Sequence, residues 1–333
     1  MRAYLIRRFL LIIPTFLGIS LITFLVVQLA PGNPLLLKLR RASESGGTGM
    51  ASVPAEYIEQ MKKLYGLDKP LPVRYVIWLK KLVTFDFGTS YKDQRPVIAK
   101  IAETIPITLQ LNLLAIFLVY LLSVPIGVYS ATHPRSWSDN LITIALFILY
   151  SLPSFWVAML LMFFFGGGQF FNWFPVYGIS SIEAQTWPWG RWLLDRIWHL
   201  VLPVTCLTYA GFAGLSRFTR AGLIENIRQD YVRTARAYGF SERVVVFKYA
   251  MRNSLIPIIT LLGTLLPALI GGSVIIESIF SIPGMGRLSF EAILSRDYPL
   301  IMGILSIDAI LTLVGLIISD MLYATVDPRI RFE

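Results

Sequence analysis

The sequence predicts an all-α integral membrane protein with six transmembrane helices. Hydrophobic residues make up 55% of the 333 residues and charged residues only 15%, whereas an average soluble domain has about 45–50% and about 25%. The charged residues are also clustered in the sequence. The uncharged segments between the clusters are long enough to cross a hydrocarbon core of about 30 Å as helices. Together these observations exclude a disordered chain, a fibrous rod and most soluble enzymes.

The spans are placed inside the uncharged runs, because a charge at the membrane centre costs about 2.5–3.5 kcal/mol. The first apolar run is too long for the apolar part of a signal peptide and has no obvious small-x-small cleavage site, which favours an uncleaved anchor. The six predicted spans are Phe9–Ala30, Ile105–Ala131, Leu141–Phe165, Ile197–Ser216, Asn253–Ile276 and Tyr298–Val326.

Basic residues indicate the orientation. The segment Arg217–Arg252 carries eight basic and three acidic residues, and arginines also mark the N-terminus and the C-terminal tail. The positive-inside rule places these three segments in the cytoplasm. Pro31–Glu103 carries twelve basic residues, but loops longer than about 60 residues translocate largely regardless of charge. The expected topology is therefore a chain that crosses the membrane several times, with both termini cytoplasmic.

Residues 31–103 are predicted to form a small extracytoplasmic domain between the first span (1–30) and a five-helix core (104–333). Gly and Ser residues at 43–49 indicate a mobile tip. Helices are predicted over Pro54–Leu64 and Pro72–Leu82, and the second has Val73 and Ile77 placed for a face that lies on the membrane surface. Such a domain could cover the mouth of a pore or hold a partner, or it could be a passive loop.

The cytoplasmic loop at 217–256 is predicted to form a helix–turn–helix. Tyr231, Ala235 and Tyr238 recur at the spacing of one helix face. Gly239 is typical of the residue that ends a helix, and Ser241 can cap the next one. The apolar ridge needs a surface to pack on, so the loop is either a basic amphipathic helix on the membrane or a projection that docks in a partner's groove.

Chemical motifs are few. The sequence contains no phosphate-binding loop of the Gly-x-x-x-x-Gly-Lys type, no His-Glu-x-x-His and no Gly-x-Ser-x-Gly. The lone Cys206 and the separated His133 and His199 predict no metal site, and the net charge of +10 fits membrane orientation better than nucleic-acid binding. Acidic residues in or at the ends of spans would suit an ion-coupled transporter; these are Glu277, Asp308 and Asp320.

Several motifs resemble the permease subunits of the dipeptide/oligopeptide family of ABC importers, and the resemblance covers almost the whole chain. Any one of the motifs is weak, but their order and spacing make the signal strong. They are Tyr4–Arg8, Gln28–Pro34, Gly66–Pro72, Asp86–Ser90, Asp230–Gly239, Phe280–Gly286 and Asp327–Arg331.

The resemblance implies a type I importer permease that carries no cofactor and is not itself an enzyme. It also implies that the chain lies in a bacterial or archaeal cytoplasmic (inner) membrane. Its expected partners are a second, similar permease, two cytoplasmic ATPases that hold ATP and Mg²⁺, an extracytoplasmic substrate-binding protein and membrane lipid, with no nucleic acid. Peptides are the expected cargo by family, and nickel chelates, glutathione and oligosaccharides stay open.

The resemblance also implies site residues. In the family a coupling helix of this cytoplasmic loop sits in a cleft of the ATPase, and the corresponding residues are Asp230, Tyr231, Thr234, Ala235, Tyr238 and Gly239. Candidates for the translocation path are Glu277 and Asp308. Candidates for an external gate or a contact with the binding protein are Asp86, Phe87 and Gly88. Importers at large carry Glu-Ala-Ala-x-x-x-Gly in the coupling loop, and only Ala235 and Gly239 match that pattern here.

Overall fold

The computed structural model describes residues 2–29, 68–166, 170–255, 258, 265 and 268–326. These residues are mostly helical, and their only β-type pairing is an isolated bridge between Thr89 and Pro96. The helices are α1 (Arg2–Leu29), α2 (Leu71–Val83), α3 (Val97–Thr132), α4 (Trp137–Ser151), α5 (Ser154–Phe165), α6 (Trp189–Ile227), α7 (Asp230–Ala237), α8 (242–254), α9 (Ala268–Gly271), α10 (Val274–Ile279), α11 (Met285–Ser295) and α12 (Tyr298–Val326), with a 3₁₀ turn at Ile182–Thr186.

Four of the predicted spans are confirmed as continuous apolar helices. Each is long enough to cross the hydrocarbon core, and the apolar segments are Leu10–Leu29, Val97–Thr132, Trp189–Ile227 and Tyr298–Ile318. The fourth predicted span, Ile197–Ser216, is only the middle of α6. That helix has 39 residues, because it continues past the charged residue Arg217 without a break.

The third predicted span, Leu141–Phe165, is not one helix. It is broken into α4 and α5, whose axes differ by 98°. Leu152 has an extended backbone with ψ of 128°. The ring of Pro153 disfavours the helical conformation at the preceding residue, which explains the break. The prediction of a single straight span was wrong at this position.

The fifth predicted span, Asn253–Ile276, lies mostly outside the described residues. Its described parts are the end of α8, the short α9 and the start of α10. Gly272, with φ of +67°, separates α9 from α10, and the Ser273 hydroxyl accepts a hydrogen bond from the Ile276 N–H. The count of six spans therefore stays a prediction. The predicted helix Pro54–Leu64, the Gly/Ser patch at 43–49 and the C-terminal motif Asp327–Arg331 also lie outside the described residues.

One compact unit comprises Met1–Glu103 and Leu288–Leu313. Its core joins α1 to the start of α12 through Phe24, Val27, Tyr298 and Met302. Helix α2 confirms the predicted helix Pro72–Leu82 and packs on this core, with the Phe24 ring 5.3 Å from the Tyr75 ring.

The second compact unit comprises Thr104–Arg287 and Val314–Glu333. It has two apolar clusters. The first lies among α3, α5, α6 and α10 and is built from residues that include Leu111, Ala158, Leu200, Val204, Ile276 and Phe280. The second lies under the loop between α6 and α9 and includes Val128, Ala131, Leu223, Val232, Ala235, Val245, Val246 and Ala250.

Candidate functional site

The loop at 228–254 begins with a short helix whose two ends are both well defined. Gln229 has an extended backbone and accepts the N–H groups of Val232 and Arg233 at 3.0 and 3.2 Å, so α7 starts after a break from α6. The predicted helix–turn–helix did not include this break at residues 228–229. The break lets α7 leave the direction of α6.

Helix α7 ends at Gly239, as predicted. This glycine has φ of +78°, a conformation that residues with a Cβ rarely adopt. Its N–H donates to the Arg236 carbonyl at 2.9 Å, and the Phe240 N–H donates to the Ala235 carbonyl at 3.4 Å. These two bonds form a Schellman motif, which satisfies carbonyls that the helix end would otherwise leave free.

Ser241 occupies the position before α8 but makes no capping hydrogen bond with its side chain. The predicted side-chain cap is therefore wrong, although the position is right. The next helix starts at Glu242, and its middle part, Val245–Ala250, is a π-helix. Such turns are rare, and they occur frequently at functional sites.

The face of α7 that packs inward differs from the predicted ridge. Val232 and Ala235 are buried, at 0% and 3% exposure, whereas Tyr231 is 38% and Tyr238 80% exposed. Val232 and Ala235 pack in the cluster that contains Leu223 of α6. Ala235 therefore anchors the loop to the rest of the unit, and Tyr231 and Tyr238 are the side chains that remain available for a partner.

Aromatic side chains also remain exposed after the turn. Phe240 is 46% and Phe247 61% exposed, and the ring of Phe240 lies 5.5 Å from that of Tyr249. Exposed aromatic groups bounded by charged residues are typical of protein–protein docking surfaces. The predicted motif did not include Phe240, which could have been recognised as a large apolar residue beside a helix-ending glycine.

An ion pair closes the turn from α7 to α8. The Arg236 guanidinium donates to both carboxylate oxygens of Glu242, with Nε–Oε1 at 2.8 Å and Nη2–Oε2 at 3.3 Å. The hydrogen bond from Arg236 lowers the pKa of Glu242 and raises that of Arg236. By contrast Asp230, at the start of α7, meets Arg233 only at 3.4 Å with both side chains exposed, which contributes little.

The loop is tied to the helices beneath it by further polar contacts. The Tyr231 hydroxyl donates to Asn226 Oδ1 of α6 at 2.9 Å. Within α7 itself, the Thr234 hydroxyl donates to the Asp230 carbonyl at 2.9 Å. The Ser254 hydroxyl donates to the Gly222 carbonyl of α6 at 3.2 Å. The structure thus brings the six predicted coupling residues into one short element, of which only Ala235 is buried.

Glu277 of α10 is buried at 2% exposure and is surrounded by hydrogen-bond donors. Its carboxylate accepts from the Arg287 N–H at 2.8 Å, the Ser273 N–H at 3.2 Å and the Thr108 hydroxyl at 3.3 Å. The segment that follows wraps closely around it, since a Cβ added at Gly284 would lie 2.6 Å from the Glu277 carboxylate. These contacts give Glu277 an organising role in the turn after α10.

Asp308 lies within α12 and belongs to the first compact unit. Its Oδ1 atom is buried and has no hydrogen-bond partner among the described residues. A buried carboxylate oxygen without a hydrogen-bond partner is costly in an apolar helix, which marks Asp308 as an unusual residue. Asp320 lies further along the same helix, at a position where the side chain is not described.

Asp86, Phe87 and Gly88 form the turn that follows α2 in the first unit. Asp86 Oδ1 accepts the Gly88 N–H at 3.0 Å, Gly88 has φ of +73°, and Phe87 is buried. Close by in sequence, Ser90 donates its hydroxyl to Asp297. These contacts shape the turn itself.

Asp297 is a residue that the sequence reasoning missed. It is fully buried, accepts the N–H groups of Tyr91 and Lys92 at 2.9 and 3.3 Å, and precedes α12. The signal was local, because an Asp directly before a helix is typical of an N-cap. No local sequence pattern predicted its distant hydrogen-bond partners Ser90, Tyr91 and Lys92.

Comparison with known proteins identifies the family of the chain. The model of the binding-protein-dependent transport system inner membrane component family matches residues 123–332, and the model of its N-terminal region matches residues 1–112. The chain is 40% identical to the oligopeptide transport system permease protein AppB of Bacillus subtilis (strain 168), over the full length of both.

Two further relatives also match over their full lengths. They are the inner membrane ABC transporter permease protein YejB of Escherichia coli O157:H7, at 36% identity, and the dipeptide transport system permease protein DppB of Alkalihalophilus pseudofirmus, at 35%. The long apolar helices fit a subunit that spans the membrane. The chain belongs to the family of binding-protein-dependent transport system inner membrane components and is a permease subunit of an ABC importer.

Proposed function

We propose that this permease passes peptides across the membrane and engages its ATPase through the exposed side of the turn at 238–240 and of α8. The names of the relatives support the cargo, since AppB and DppB are described as oligopeptide and dipeptide permeases. An ion-coupled transporter is not favoured, because the full-length relatives are ABC permeases. The expected assembly contains a second permease, two ATPases and an extracytoplasmic binding protein, with both termini of this chain cytoplasmic.

The observation that carries the docking proposal is the division of the loop into two faces. Val232 and Ala235 hold α7 on the helices below, whereas Tyr238 is 80% and Phe247 61% exposed. A short element with a fixed inner face and an aromatic outer face can enter a groove without losing much conformational entropy. The ATPase supplies the phosphate-binding loop that this sequence lacks.

The inner face also determines which residues can test the docking. A bulky residue at Ala235 would disturb the cluster under the loop, with an overpacking cost of about 1–3 kcal/mol, so a loss of activity would not separate docking from folding. Tyr238 and Phe247 are better positions. Their side chains are exposed, so their replacement leaves the fold largely intact.

The experiment compares the double variant Tyr238→Ser/Phe247→Ser with the control Tyr177→Ser, which removes a similarly exposed ring (64%) from another segment. The whole complex is co-expressed and purified through this chain. We expect the double variant to lose most of the copurifying ATPase and ATP-dependent uptake, since a buried aromatic contact contributes about 2 kcal/mol or more at a hot spot. The control should keep both.

Retention of the ATPase and of uptake by the double variant would refute the docking proposal. The cargo is tested separately with radiolabelled di- and oligopeptides in proteoliposomes that contain the wild-type complex and its binding protein. ATP-dependent accumulation should be competed by unlabelled peptide. Competition by glutathione, a nickel chelate or an oligosaccharide, but not by peptide, would contradict the peptide assignment and leave the docking result unaffected.

A further inference from the structure

A cleft of 510 Å³ lies in the first compact unit. Gln28 near the end of α1, Tyr298 at the start of α12, and Arg74 and Trp78 of α2 contribute to its walls. The apolar segments of the two long helices are Leu10–Leu29 and Tyr298–Ile318, so the cleft lies where one membrane-spanning helix ends and another begins. This is the depth at which lipid headgroups meet the protein.

The walls of the cleft are basic. Three cationic side chains contribute to them, from Lys69, Arg74 and Lys81, against the single carboxylate of Asp86. Asp86 already accepts the Gly88 N–H, and Arg74 donates to the neutral Gln28 amide. Within the described part of the chain, none of the three cations has a carboxylate within ion-pair distance.

Arg74 is the cation that most needs an anion. Burial lowers the pKa of its guanidinium, and the electrostatic effects of Tyr91, Tyr298 and Asp68 offset this only in part. A guanidinium can bind two phosphate oxygens at once, and its planar shape suits that geometry better than the point charge of a lysine.

The surroundings of the cleft suit a lipid. Trp78, Tyr91 and Tyr298 line it, and tryptophan and tyrosine concentrate where hydrocarbon meets headgroups. On α2, Val73 is 44% and Val76 51% exposed. An apolar helix face beside lysines is typical of a helix that lies on the membrane surface.

We propose that this cleft binds the phosphodiester headgroup of an anionic phospholipid, with Arg74, Lys81 and Lys69 as its cationic ligands. The lipid belongs to the leaflet at which α1 ends. Its acyl chains extend along the apolar parts of α1 and α12, and its glycerol lies against the aromatic wall. The proposal goes beyond transport and accounts for part of the positive charge of the segment 31–103.

The test is native mass spectrometry of the whole detergent-purified complex, titrated with phosphatidylglycerol or, as the neutral comparison, phosphatidylcholine. The variant is Arg74→Gln/Lys81→Gln. The control is Lys80→Gln, which removes one positive charge, half of the change in the double variant, from the same helix outside the cleft. A basic residue near an anionic membrane surface strengthens binding roughly five-fold. We therefore expect the double variant to bind phosphatidylglycerol about 25–30-fold more weakly, and the control to bind it like the wild type.

Equal phosphatidylglycerol binding by the wild type and the double variant would overturn the proposal. So would displacement of the lipid by millimolar inorganic phosphate, which would indicate a free-anion site, or by a cargo peptide. If Arg74→Gln prevents assembly, Lys69→Gln/Lys81→Gln replaces it, because both lysines are exposed. An unchanged affinity in that variant would refute the role of the lysines.

Discussion

Replacement of Arg220 by Gln should destabilise the permease by removing one partner of an enclosed ion pair. Arg220 of α6 donates to Asp139 of α4 through Nε at 3.0 Å and Nη2 at 2.8 Å. The Asp139 side chain is 3% exposed and that of Arg220 34%. The carboxylate also accepts the Arg135 N–H at 3.0 Å, and this donor survives the substitution.

The expected magnitude follows from this geometry. Removal of one partner of a fully buried pair costs about 3–5 kcal/mol. One third of Arg220 is exposed, and Asp139 lies in the first turn of α4, where the helix dipole stabilises a negative charge by about 0.3–1 kcal/mol. These two effects reduce the expected loss for Arg220→Gln to about 2 kcal/mol.

A double-mutant cycle tests the reasoning. The apparent unfolding temperature of the purified complex is measured for Arg220→Gln, Asp139→Asn, the double variant and the control Arg217→Gln. Arg217 lies over the Phe147 ring at 4.5 Å, so its loss should cost only about 0.5–1 kcal/mol. The double variant should be more stable than Arg220→Gln alone, because no unpaired carboxylate remains. Equal shifts for Arg220→Gln and Arg217→Gln, or no rescue by Asp139→Asn, would show that the pair is not energetically coupled.

Two further predictions concern the turn after α10 and the region after α2. Gly286→Ala should sharply reduce the yield of folded protein in size-exclusion chromatography, because the new Cβ would lie 2.7 Å from the Val274 nitrogen. The control Gly271→Ala should behave like the wild type, because its Cβ meets nothing within 4 Å. Equal yields for the two variants would contradict the close packing of Gly286 against Val274. Burial raises the pKa of Asp93, but hydrogen bonds, chiefly from Lys100, outweigh it and lower the pKa overall. Asp93 therefore stabilises the fold above its unfolded pKa near 4, and this stability is lost as the pH falls through the lower folded value. The gap in unfolding temperature between wild type and Asp93→Asn should be constant from pH 6 to 8 and should close below about pH 4; a gap independent of pH would contradict the assignment.

Most spans could be predicted because the absence of charge over twenty residues is a local property. The break inside the third span was also locally encoded, since Pro153 restricts Leu152. The prediction nevertheless placed one span over Leu141–Phe165 because this segment is uniformly hydrophobic, and it disregarded Pro153. The predicted fourth span ended before Arg217 for the opposite reason, because a charge ends an apolar run without ending a helix.

The orientation of α7 depends on contacts that no local pattern contains. Tyr231, Ala235 and Tyr238 do share a spacing, but the inner face is set by Val232 and Ala235, which meet Leu223 in the cluster under the loop. An eight-residue helix is too short for its periodicity to determine which face is buried. The turn at Gly239 could be predicted, because a left-handed backbone conformation favours glycine in any tertiary context.

The continuity of α6 gives the proposed docking surface a mechanical consequence. At 1.5 Å per residue its 39 residues extend about 58 Å, and the helix carries Leu223 in contact with the inner face of α7. A force applied to Tyr238 by a partner reaches α6 through Val232 and Ala235, and no break in α6 absorbs it before the membrane-spanning part. The loop and α6 should therefore move together as one lever, so that loosening the contact, as in Val232→Ala, should weaken coupling between ATP hydrolysis and uptake while the exposed docking residues stay unchanged. Uptake per ATP hydrolysed, measured in proteoliposomes, should fall in this variant, and an unchanged ratio would show that the force takes another route.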